Sequence, residues 1–131
     1  MPVQAAHCWE TAQTVSKIMG IPEEAVLVAS TGVIGMQVPI DKICAGVGQM
    51  VPKLSDGKEA GTKAARAIMT TDTVPKHIAV SFKIDGRTVT IGGMCKGSGM
   101  IHPNMCTMLS FLTTDAAISK ELLTEALKES V

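Results

Sequence analysis

Ile78, Val80, Phe82 and Ile84 fall at every second position, Asp85-Gly86 follows at once, and Val89 and Ile91 resume the alternation. Period-two apolar spacing belongs to a half-buried strand. Asp-Gly between two such runs is the pair of residues that best tolerates positive φ at both centres of a two-residue turn. The segment therefore predicts a β-hairpin, and whatever else the chain does must be built around an antiparallel pair.

The rest of the chain supplies helices and further extended segments. Trp9, Ala12, Val15 and Ile18 recur at helical spacing ahead of Gly20, so a helix is expected from about Ala5 to Met19, its stripe serving as core. Ala25-Val26-Leu27-Val28-Ala29-Ser30 is a short continuous apolar run of the kind found in a strand covered on both faces. Pro39 suits a first helical position, with Ile40, Ile43, Val47 and Met50 behind it, and Ser55 or Asp56 can cap a third helix reaching Ile68. A strand is expected from Thr107 to Thr113, and Ser119 is placed to cap a last helix bearing Leu122, Leu123, Ala126 and Leu127. The fold class expected is α/β, with helices layered on a mixed β-sheet. At 131 residues the chain has the size of one ordinary domain.

Composition narrows the partners. Twelve basic residues balance twelve acidic ones, so no net field draws in nucleic acid or an anionic membrane, and aromatics at 2% leave little to stack on bases. No apolar run approaches the ~20 residues that span a bilayer, and the amino terminus lacks the pattern of a signal peptide, so the chain reads as cytoplasmic. The four cysteines form no Cys-x-x-Cys pair and read as reduced thiols. His102 and Cys106 lie four apart but Pro103 stands between them, and two further metal ligands would still be needed.

Three polar segments carry possible chemistry. In Ser30-Thr31-Gly32-Val33-Ile34-Gly35 a Thr hydroxyl and a Gly N–H can converge on a developing oxyanion, although a plain turn accounts for the same residues. The second, Met69-Thr70-Thr71-Asp72-Thr73-Val74-Pro75-Lys76, sets four hydroxyl or carboxylate groups between a helix and a strand and fits either a capped loop or a substrate contact. The third runs from Gly92 to Asp115, where a glycine-rich loop leads into a strand-like segment at Thr107. A threonine at such a junction is where a chain can cut itself and expose a nucleophile whose own α-amine is its base. Within it Lys96 can hold a substrate carboxylate. The Lys precedes its glycines and a strand follows, so this is not a phosphate-binding P-loop.

Ser30-Thr31-Gly32-Val33-Ile34-Gly35, Ala67-Ile68-Met69-Thr70-Thr71-Asp72-Thr73 and Lys96-Gly-Ser-Gly-Met-Ile-His-Pro-Asn-Met-Cys-Thr107 together resemble the ornithine acetyltransferase family, in the same order and at compatible spacing. The resemblance runs from about Glu10 to Val131. It implies a self-cleaving, N-terminal-threonine acetyltransferase fold, here in part. It also implies transfer of acetyl from N-acetylornithine to glutamate in arginine biosynthesis, with no bound cofactor and with acetyl-CoA as a donor in some members. Thr107 would be the nucleophile, Cys106-Thr107 the cleaved peptide, and Thr31 with Gly32 the oxyanion hole. Lys96, Thr107 and Thr73, the last chosen over Thr70 and Thr71, would contact substrate. Residues up to 106 would end an α-chain and those from 107 begin a β-chain, the two staying together as a hetero-oligomer. Cys106 and His102 stand where the family usually has Ala, and members are much longer than this chain. Two alternatives follow from the same residues: a non-catalytic fragment retaining the fold core, or a threonine-nucleophile amide hydrolase in which water takes the acyl group.

Overall fold

The computed structural model describes residues 3–33, 35–97 and 108–130. The chain divides into two compact units, Met1–Ala60 and Gly61–Val131.

In the first unit α1 (Val3–Met19) packs against α2 (Ile40–Met50). Ala12 and Val47 are its buried apolar residues, and the Thr14 hydroxyl donates to Cys44 Sγ at 3.3 Å between the two helices. Gly20 ends α1 with φ at 68°, a left-handed conformation that glycine adopts without penalty, while its N–H bonds the Ser16 carbonyl at 2.8 Å. The stripe expected as core is only partly so, since Trp9 remains 55% exposed. Pro39 occupies the N-cap rather than the first helical position, and its carbonyl receives the Lys42 and Ile43 N–H groups.

The strand expected over residues 25–30 is not formed. A 3-10 turn takes Glu23–Ala25, Val26 after it is extended, the residues that follow pair with no strand among the described residues, and Leu27 is 95% exposed. Apolar, β-branched sequence makes a segment willing to be a strand. Only a neighbour's backbone makes it one.

α3 (Lys58–Ala67) runs across the division and carries the fully buried Ala65. In the second unit β1 (Lys76–Ile84), β2 (Arg87–Lys96) and β3 (Leu109–Thr114) form one sheet in the order β1-β2-β3. Its strands pair antiparallel throughout, where a mixed sheet was expected; between β1 and β2 the two-residue connection can only reverse the chain. Asp85 and Gly86 both have positive φ, 48° and 79°, and close the turn between the paired residues Ile84 and Arg87. The hairpin is the one the sequence predicts. β3 starts at Leu109, two residues later than expected, and its end is held by Asp115, whose Oδ1 accepts the Thr90 N–H at 2.7 Å.

α4 (Lys120–Ser130) is capped as expected: the Ser119 hydroxyl oxygen accepts the Leu122 N–H at 3.3 Å. The layering of helices on sheet is left open in these residues. Ile78 is 69% and Leu112 63% exposed on the sheet, and Leu122, Leu123 and Leu127 are half-exposed on α4.

Candidate active site

Two of the three polar segments meet in the second unit. β2 ends at Lys96, and its period of two puts Lys96 on the face shared with Gly92 and Met94. Lys96 is only 7% exposed, the one buried charged residue among those described, and its Nζ donates to the Gly97 carbonyl at 3.1 Å. An ammonium has three donors. No carboxylate partner for it occurs among the described residues.

The loop joining α3 to β1 reaches the same place through Asp72. Its Oδ1 accepts the Gly97 N–H at 2.8 Å and also the Lys76 ammonium, while Oδ2 is buried with no hydrogen-bond partner among the described residues. The Lys76 hydrogen bond first, and the Gly97 amide second, hold the Asp72 carboxyl down from an ordinary 3.8 to about 2. It is therefore a fixed negative charge at any physiological pH. A Cβ on Gly97 would lie 2.9 Å from Asp72 Oδ1, so the amide reaches the carboxylate where a side chain would displace it.

The resemblance assigns the substrate contact of this loop to a hydroxyl, Thr73, and gives its carboxylate no role. Thr70, Thr71 and Thr73 are all exposed, and the residue that ties the loop to the end of β2 is Asp72. The available signal was Asp72 four residues before Lys76. That spacing marks a pair on a helix, and here Pro75 precludes a helix, so nothing in the pattern foretold the contact.

Thr31 and Gly32 lie in the first unit, exposed and outside any helix or strand. A Cβ on Gly32 would meet nothing within 4 Å. Thr107 and Cys106 lie outside the described residues, as does His102. Among the described residues no group of three His, Cys, Asp or Glu side chains could hold a metal ion, and no helix is long and apolar enough to cross a membrane.

The sequence model of the ArgJ family matches residues 4–131. This chain belongs to the ArgJ family. It is 54% identical to the arginine biosynthesis bifunctional protein ArgJ of Symbiobacterium thermophilum over 121 residues, covering 92% of this chain and 30% of that protein. The ArgJ of Staphylococcus aureus strain COL is 55% identical over 122 residues, again 92% of this chain and 29% of the relative. Among solved structures, the crystal structure of the arginine biosynthesis bifunctional protein ArgJ of Bacillus halodurans superposes with a TM-score of 0.65 at 40% identity, covering 79% of this chain and 52% of that one. The α/β class expected from sequence is thus the class of a solved ArgJ. The chain spans under a third of the length of the curated ArgJ proteins it matches.

Proposed function

We propose that this chain is the part of an ArgJ acetyltransferase that contains the self-cleavage site, and that it serves acetyl transfer from N-acetylornithine to glutamate in arginine biosynthesis. The observation that carries the reading is the family match over residues 4–131, which takes in the whole Lys96-to-Thr107 segment, combined with a buried Lys96 at the end of β2 that has no carboxylate partner among the described residues.

In this reading the Thr107 hydroxyl oxygen attacks the Cys106 carbonyl carbon, the C–N bond breaks, and the hydroxyl proton goes to the released amine. The resulting ester is hydrolysed by water, leaving a carboxylate on Cys106 and a free amino group on Thr107. An α-amine has an unperturbed pKa of about 7.7–8.0, so it can take the hydroxyl proton near neutral pH without a histidine. The same oxygen then attacks the acetyl carbonyl of N-acetylornithine. Thr31 and Gly32 stabilise the oxyanion, Lys96 and Thr73 hold substrate, ornithine leaves, and glutamate's amine takes the acetyl group from the acetyl-threonine. No cofactor is needed, and acetyl-CoA would serve as an alternative donor to the same threonine.

A second reading, a non-catalytic piece that keeps part of the fold, is favoured by one observation: no large side chain is fully buried among the described residues. An intact-mass spectrum of the purified chain, beside a Thr107→Ala control, separates the two. Pieces of 106 and 25 residues in the unmutated protein alone support the first reading, and a single uncut mass in both sinks it for this chain.

A further inference from the structure

We propose that Asp72 is a positioning residue, a carboxylate anchor that fixes the Gly97 peptide and so sets both where Lys96 presents its ammonium and where the chain sets out toward Thr107. The role assigned to Lys96 and Thr107 rests on the function proposed above. The anchor itself rests on geometry.

The Gly97 residue is held from both sides. Its N–H donates to Asp72 Oδ1 and its carbonyl accepts from Lys96 Nζ, so a shift of this residue moves the lysine head with it. A Cβ on this residue would lie 2.9 Å from the same carboxylate oxygen, so a side chain here would push the carboxylate aside. The anchor is stiff at its other end too. Asp72 has a side chain 2% exposed, is paired with Lys76 at the first residue of β1, and Lys76 lies opposite Cys95 in the β1–β2 register. Loop, strand start and strand end are thereby tied at one carboxylate. A solvated surface Asp–Lys pair would leave both oxygens in water, whereas here the carboxylate has given up its hydration to receive a backbone amide. Nine residues separate Gly97 from Thr107 in sequence, so the anchored peptide is the point at which the chain leaves β2 toward it.

The test follows two signals in Asp72→Asn, Asp72→Ala, Lys76→Met and Lys76→Arg versions of this chain. The first is the Gly97 amide proton in nitrogen-edited NMR spectra, downfield in the unmutated chain through its bond to a charged acceptor. It should move upfield in both Asp72 variants while the hairpin amides of β1 and β2 keep their positions, which also shows that the variants fold. The second is the rate of appearance of the 25-residue piece. It should fall about tenfold or more in Asp72→Ala, as expected for misplaced reacting groups, fall less in Lys76→Met, and return close to the unmutated rate in Lys76→Arg. An unmoved Gly97 amide in Asp72→Asn and Asp72→Ala overturns the anchor, as does cutting at the unmutated rate in a folded Asp72→Ala. If the unmutated chain does not cut while the Gly97 amide still responds to Asp72, the anchor stands and the processing role of Thr107 in this chain falls instead.

Discussion

Asp72 and Lys76 differ in what surrounds them, and that difference sets how their pair responds to solution conditions. The Asp72 side chain is covered while that of Lys76 is 43% exposed, so salt screens the ammonium's contribution but leaves the Gly97 amide bond in place. The carboxyl is depressed in the folded chain, so the stability it contributes is complete above its ordinary pKa of 3.8 and is lost as pH falls through about 2. Thermal unfolding followed from pH 6 downward should therefore show a loss between about pH 4 and pH 2 that is missing from Asp72→Asn. Equal slopes for the two proteins in that window would mean that the carboxyl is not paired in solution as it is here. The opposite sign, a gain on acidification, has no source at this residue.

At the level of elements the hairpin was legible and the isolated strand was not, for one physical reason. Asp85-Gly86 specifies its turn from within, since both residues accept positive φ and the register of nine paired positions follows from the closure. Gly86→Ala isolates that effect. A Cβ there would meet nothing within 4 Å, so the substitution should cost about 1–2 kcal/mol through the left-handed backbone alone, read as a lowered urea midpoint, with Asp85→Asn close to neutral. A neutral Gly86→Ala would show that the turn relaxes to another type. Helix ends were legible in the same local way: Ser119 caps α4 and Gly20 closes α1, both from residues within one turn. Residues 25–30 have the composition of a strand but depend on a partner that composition does not name, and the Asp72–Gly97 contact joins residues 25 apart that no periodicity relates. In the candidate site the motif residues were readable one by one. The contact by which the Asp72 carboxylate draws two of those motifs together was not.

For the molecule as a whole, the apolar faces left open predict how the chain behaves on its own. Ile78, Val80, Phe82 and Ile84 all sit on one face of β1 by their period of two, and every residue of that strand is exposed. Among the described residues β1 is also an edge of the sheet, nine residues long, with Pro75 just before it, Lys76 at its first position and, His77 apart, Lys83 the one charged side chain in its interior. One charge is a thin defence for an edge of that length, which offers unpaired backbone groups and an apolar surface at once. The chain should therefore associate as its concentration rises, seen as a growing sedimentation coefficient between micromolar and submillimolar protein. Replacing Val80 and Phe82 together with Lys puts charges on that face while leaving the Asp85-Gly86 turn and the Asp72 anchor untouched. The doubly substituted chain should sediment as a monomer over the same range, with the far-ultraviolet circular dichroism of the original. Association unchanged by the two lysines would place the contact elsewhere, on the half-exposed leucines of α4 or the Val26–Ser30 segment, and β1 would then be ruled out as the surface that seeks cover.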